Sequence, residues 1–305
     1  MNQLYLDTAR LLTQVAPPVF ADGSFALKGG TAINLFARDM PRLSVDLDLV
    51  YPDHMVPREK ALKDIAASLR AAAEQLKRRD FEVHIPKPDA SAESKLLVRR
   101  DGIEVKVEVN TVLRGTVQPV GIAGLRPNAR ATLMTELEIP VVSLADMYGG
   151  KLVAALDRQH PRDLFDVMQL FAGEGITPKI RRAFVVYLAS HNRPVHEVLF
   201  PALRDITTDY NNNFAGMTTE PVALDDLLAA RERMVQELQA GLDENERNFL
   251  LSLVAAKPDW PLLGIAHLAE LPGLRWKLLN LEKLQKENPK QFAQQYALLA
   301  ERLAG

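Results

Sequence analysis

The sequence predicts an α+β protein, with a mixed sheet and flanking helices over residues 1–140 followed by a helical domain over 141–305. Three observations carry this. Short segments alternating polar and apolar residues crowd into the first 110 positions. Helical periodicity runs almost unbroken from Leu144 onward. Between the two regimes lies a Pro- and Gly-containing segment, Thr116 to Pro140, which reads as the boundary. A chain of 305 residues is long for one compact domain and short for three, consistent with two.

Residues 3–15 read as a first helix, and Phe25 to Leu27 as a short strand entering Lys28-Gly29-Gly30-Thr31, where paired glycines mark a tight turn. A helix from Thr31 to Arg38 follows and Pro41 ends it. Ser44 to Val50 then has the two-residue period of a half-buried strand, with Val45, Leu47 and Leu49 toward the core and Ser44, Asp46 and Asp48 on the other face. Pro57 opens a long helix to Arg79, and Phe81–Ile85, Lys95–Arg99 and Ile103–Asn110 read as strands. Helices are expected near 144–156, 162–172, 178–191, 223–240, 243–255 and 289–303.

Composition narrows the function. With 47% hydrophobic and 25% charged residues the chain can build ample core. It has no cysteine, which excludes disulfides, zinc-thiolate sites and a cysteine nucleophile. The six histidines show no metal-ligand spacing, and no G-x-S-x-G is present. No stretch approaches the roughly 20 apolar residues of a membrane span, and the N-terminus lacks a signal-like core, so a cytoplasmic protein without membrane contact is expected. A net charge of -2 argues against a uniformly basic nucleic-acid coat. Charge is uneven, however: residues 58–79 carry seven Lys or Arg against three acids, whereas 204–247 carry four against ten. A polyanion would prefer the N-terminal half, and a solvated helix face accounts for the same pattern.

Asp46 and Asp48 stand one pleat apart on one strand face, a costly arrangement unless a cation neutralises it. Magnesium takes one or two protein carboxylates together with substrate phosphates, and two ions can share such a cluster. Val50 and Tyr51 occupy positions where a calcium-binding loop needs an oxygen ligand and a glycine, which excludes that reading. Alone, an Asp-x-Asp strand is more often an ordinary wet face. Its company decides otherwise: Gly29 and Gly30 sit at a strand-to-helix turn whose amides can meet an anion. Neither the P-loop nor the dinucleotide-binding fingerprint is present, so the phosphate grip is of another kind. Strand, turn, short helix and returning strand would bring amides and carboxylates to one end of the sheet, where a nucleotide bridges them.

Gly29-Gly30 followed by Ser44-x-Asp46-x-Asp48 resembles the first signature of the polymerase β-type nucleotidyltransferases. The longer runs Leu27-Lys28-Gly29-Gly30-Thr31-Ala32 and Ser44-Val45-Asp46-Leu47-Asp48-Leu49 resemble the AbiEii branch, the toxins of type IV toxin–antitoxin systems, which include the MenT enzymes. Lys151 to Leu156 and Pro161 to Asp166 are similar to that family's later lysine and aspartate motifs. The resemblance implies a nucleotidyltransferase-type core, with the helical domain contributing Lys and Asp motifs to the cleft. It implies transfer of a nucleotide from a nucleoside triphosphate, with magnesium, to an RNA acceptor. In the MenT branch that acceptor is the 3′ end of tRNA, which blocks translation, and a cognate antitoxin is the partner.

The remaining candidates follow from that comparison. Glu108 shares a strand face with Lys106 and Asn110 and can complete a carboxylate triad with Asp46 and Asp48, the third acid serving as base. The superfamily usually has Asp there, and a solvent-side strand residue is the ordinary alternative. By resemblance Lys151 contacts the triphosphate, lying in an otherwise small and apolar helical stretch. Asp163 follows Arg162 in the family-like pair, but Asp166, one helical turn on, competes with it. Arg158 and Arg162 are candidates for holding phosphate or RNA. Two other readings remain open: transfer to a protein hydroxyl, and a non-catalytic nucleotide- or antitoxin-binding module.

Overall fold

The computed structural model describes residues 3–86 and 94–304. The chain forms two compact units, one of Met1–Met147 with Phe214–Val222 and the other of Tyr148–Asn213 with Ala223–Gly305. The first unit opens with α1 (Gln3–Phe20) and β1 (Ala26–Lys28). A single turn, α2 (Gly29–Thr31), then runs straight into a π-helical turn at Ala32–Ala37. There follow β2 (Asp46–Val50), α3 (Arg58–Lys77), β3 (Glu82–His84), β4 (Lys95–Arg100), β5 (Ile103–Val109), β6 (Gly121–Gly124), α4 (Pro127–Leu133) and β7 (Glu138–Val141).

The strands make one mixed sheet in the order β3-β4-β5-β2-β1-β7-β6. β2 runs antiparallel to β1 and parallel to β5, and the parallel pair is joined by the long crossover through α3, β3 and β4. Alternation holds within the strands: Leu47, Leu49, Val105 and Val107 are fully buried, while Asp46, Asp48, Lys106 and Glu108 are part-exposed; Val45, expected toward the core, precedes β2 and is part-exposed. α1 packs on β5, β2 and α3. Its helix continues past the expected end at residue 15, through Pro17 and Pro18, because Val15, Ala16, Val19 and Phe20 are all buried there and offset what proline costs a helix.

The segment 116–140, expected to be a boundary, supplies two strands and a helix. β7 pairs in parallel with β1 at Leu27 opposite Val141, and β6 runs antiparallel to β7. Gly121, Gly124 and Pro140 give these strands a turn-like composition that conceals them. Residues 214–222 also belong to the first unit: Leu43 N donates to Met217 O at 3.3 Å and Thr219 N to Pro41 O at 2.9 Å. Those bonds pin the stretch that leads into β2.

Helix α5 (Leu144–Arg158) leads into the second unit, whose further helices are α6 (Pro161–Ala172), α7 (Pro178–Ala189), α8 (Val195–Leu199), α9 (Thr207–Asn213), α10 (Leu224–Gly241), α11 (Glu244–Val254), α12 (Pro272–Glu287) and α13 (Pro289–Ala304). Prolines in the first turn open α6, α7 and α12, where a missing N–H costs nothing. Asp243 and Glu246 cap α11 reciprocally. α10 packs on α6, and α11 and α12 on α7 and α13.

The sequence pattern does not reveal α12. Its buried stripe is Leu274, Lys277 and Leu281, and a lysine at the central position breaks the apolar period. Lys277 is buried because its Nζ donates to the carbonyls of His191 and Arg193, at 2.8 and 2.7 Å.

Candidate active site

Gly29 sits at φ +75°, a left-handed conformation that other residues rarely adopt, and a Cβ placed on it would lie 2.5 Å from Asp48 Oδ2. The strand register puts Lys28 opposite Asp48, so the chain turns directly over that carboxylate. Gly30 is crowded as well: a Cβ there would stand 2.9 Å from Arg42 Nη2 and 3.0 Å from Ser44 Oγ, the ends of side chains that can turn aside. Gly29 is therefore the position that demands glycine, by its positive φ and by Asp48.

Ser44 precedes β2 rather than lying in it, correcting the expectation of one continuous strand face from Ser44 to Asp48. Thr31, almost fully buried, holds the arrangement. Its Oγ1 lies 3.0 Å from Ser44 Oγ and donates to the Asp46 carbonyl at 2.6 Å. Asn34 Nδ2 donates to Gly30 O at 2.9 Å and ties the π-helical turn back to the glycines. Gly29, Gly30, Ser44, Asp46 and Asp48 thus form one locality, anchored by residues 31 and 34 that the sequence did not single out. The buried polar residue one turn after the glycines was their signal.

The parallel register of β2 and β5 sets Asp46 opposite Lys106 and Asp48 opposite Glu108. Glu108 is therefore beside the aspartates, as expected. The carboxylate cluster is nevertheless not preformed. Glu108 Oε1 pairs with Lys95 at 3.0 Å and Oε2 with Lys106 at 2.8 Å, and among the described residues no group of three His, Cys, Asp or Glu stands ready for a metal. Burial disfavours ionised Glu108, but hydrogen bonds from Lys106 and Lys95 outweigh it and hold the pKa below the usual value. The bond to Glu108 raises the Lys106 pKa. Lys28 goes the other way: burial lowers its pKa despite the opposing pull of Asp48 and Glu108. Cations thus interleave with the acids on this sheet face: Lys106 lies on the strand of Glu108 itself, while Lys28 and Lys95 come from other strands of the sheet.

Asp46 and Asp48, part-exposed and separated by about 7 Å along the strand, suit a hard divalent cation whose remaining ligands come from phosphate and water. The donor set fits on those two carboxylates. Glu108 would add a ligand only by releasing its lysines.

The other candidates lie in the second unit and form a group of their own. Lys151 Nζ pairs with Asp163 Oδ1 at 2.7 Å and Asp166 Oδ2 at 2.9 Å, and Arg158 Nη2 reaches Asp163 Oδ2 at 2.8 Å. Lys151 is 8% exposed and Asp166 fully buried, so the lysine's counter-charges are these aspartates. The two acids are both engaged, where the sequence left one to choose between them. Burial works against ionised Asp163, yet Lys151 and Arg158 hold its pKa below the usual carboxylate value. Arg158 is exposed apart from this contact. Arg162 donates its backbone N–H to His160 Nδ1, which caps α6.

The sequence model of the family described as nucleotidyl transferase AbiEii toxin, type IV toxin–antitoxin system, matches residues 10–279. The chain belongs to the AbiEii family. The match runs from α1 into α12, across both units, and makes this AbiEii chain a nucleotidyltransferase toxin that uses a nucleoside triphosphate and has an antitoxin as its counterpart. A search of curated proteins finds no match. Among solved structures, the AbiEii chain is similar to MenT4, a nucleotidyltransferase toxin from Mycobacterium tuberculosis H37Rv, with a TM-score of 0.58 and 20% identity over 91% of this chain and 92% of that one. That likeness establishes a shared fold. No helix among the described residues is long and apolar enough to cross a membrane.

Proposed function

We propose that this toxin uses magnesium to transfer a nucleoside monophosphate from its triphosphate to the 3′ end of an RNA, with tRNA as the acceptor, and so inhibits translation in the cytoplasm. The carrying observation is the approach of Gly29 to Asp48: the turn leaves no room for a side chain between backbone and carboxylate. On this reading the triphosphate lies along Gly29, Gly30 and Ser44, whose backbone and hydroxyl groups orient it. Asp46 and Asp48 hold the metal. Bound there, a divalent cation supplies Lewis-acid stabilisation of phosphoryl oxygens and lowers the pKa of the attacking hydroxyl.

Lys28 and Lys106 add positive charge on the same sheet face and favour a polyanionic substrate. Glu108 is the candidate base once Lys95 and Lys106 turn to phosphate oxygens, their preferred type of partner. In the second unit we assign Lys151 and Asp163 to triphosphate handling, and Arg158 and Arg162 to phosphate or RNA, on the family resemblance.

The test is to incubate the protein with magnesium, total cellular RNA and each α-phosphate-labelled nucleoside triphosphate, with Asp48→Ala as control. Label is expected in a tRNA band and is expected to fall at least about 100-fold in the control. Label in protein instead would overturn the RNA acceptor, and turnover retained by Asp48→Ala would overturn the metal assignment.

A further inference from the structure

Arg114 is 5% exposed, and its Nε finds no hydrogen-bond partner among the described residues. Its Nη1 donates to the carbonyl of Val56 at 3.2 Å, immediately before α3. That places a buried guanidinium against the start of a 20-residue helix whose N-cap, Pro57, provides no side-chain cap, so the first-turn amides are not satisfied by a cap residue. The first residue of α3 is Arg58, exposed, with Nη1 at 3.5 Å from the Thr111 carbonyl. Two arginines thus converge where the loop after β5 meets the entry to α3.

A buried guanidinium is expensive without a counter-ion. Among the described residues the acids in this neighbourhood have other work: Asp64 is held by Lys60 at 2.8 Å and by the Tyr51 hydroxyl, and Asp53 accepts from Met55 N. Glu59, in the first turn, is exposed. Burial, and then the like charge of Arg58, lower the Arg114 pKa. Like-charged neighbours under a helix N-terminus are an arrangement that an anion completes.

We infer that Arg58, Arg114 and the first turn of α3 form a phosphate subsite separate from the carboxylate face. Tyr51 and Gly115, joined by a 2.9 Å backbone bond, mark its position at the carboxyl ends of β2 and β5. It lies roughly 10 Å along β2 from Asp48, counting three residues of strand. The phosphate is that of an RNA strand or of a free nucleotide or phosphate ion, which share the chemistry. The inference rests on the reading of the chain as an enzyme acting on RNA only for the first source.

The test measures binding, so it is independent of turnover. A fluorescein-labelled single-stranded RNA oligonucleotide is titrated in EDTA with wild type, Arg58→Gln and Arg114→Lys over a salt series, and thermal stability is read with and without inorganic phosphate. Arg58 is exposed, so its variant stands even where Arg114→Lys fails to fold. Weaker RNA binding by Arg58→Gln, about 3- to 10-fold, with the salt slope reduced by about one, supports an RNA phosphate. Unchanged RNA binding with phosphate stabilising wild type but not Arg58→Gln supports the subsite with a free phosphate as its ligand. RNA binding and phosphate stabilisation both unaltered in Arg58→Gln overturn the subsite, while loss of transfer in Asp48→Ala is scored separately.

Discussion

At Lys277 one side chain does the work of a core residue and of a buried cation together. Burial lowers its pKa from 10.5 to about 8, and the two backbone carbonyls that accept from it soften the cost without supplying a counter-charge. Between these values the unfolded chain binds the extra proton, so this group's contribution to stability rises with pH from about 8 to 10.5 and its penalty is complete below about 8. Urea unfolding of wild type against Lys277→Met from pH 7 to 10 should show the wild type gaining up to about 3 kcal/mol on the variant across that window. Equal pH dependence of the two would remove the argument. At Glu108 the two lysines set a second expectation: Glu108→Gln keeps the strand pairing and lowers turnover about 100-fold if the carboxylate serves as base or ligand. Turnover at the wild-type rate would leave Glu108 an ion-pair partner of lysines only.

Elements meet closely at two glycines, with different consequences. Gly29→Ala forces a side chain at positive φ into Asp48, so both stability and nucleotide transfer should fall, the former by about 1–3 kcal/mol. Gly149 lies in α5 where a Cβ would stand 2.8 Å from the backbone of Ala183 and Phe184 in α7. Backbone cannot swing aside like a flexible side chain, so Gly149→Ala should separate those helices at a cost of about 1–3 kcal/mol, read from the thermal midpoint. A melting curve indistinguishable from wild type would show that the helices slide apart freely. The Lys151–Asp163–Asp166 group belongs to this scale too, since it joins α5 to α6: Lys151→Met takes the lysine from buried Asp166 and leaves Asp163 its contact with Arg158, at a cost of about 3–5 kcal/mol. Loss of activity in that variant must therefore be judged beside its folded fraction.

For the whole molecule, two units with their own cores predict calorimetric unfolding in two components. Gly29→Ala should lower the midpoint of one and Lys151→Met that of the other; a single component shifting with both would mean that the units unfold as one. The sequence by itself determined a good deal: the strand periodicity of β2 and β5, the glycine turn that becomes α2, and the helical run beyond Leu144 are local patterns, written in neighbouring residues. So was the Asp46–Asp48 pair, because two residues along a strand always share a face. Tertiary structure alone decided the rest. Strand pairing set Lys95 on Glu108 beside its same-strand neighbour Lys106, helix packing engaged both Asp163 and Asp166 with Lys151, and a distant segment, 214–222, closed over the approach to β2. Most of these contacts join residues of different elements, and which polar group neutralises which depends on burial and register, which no local period encodes.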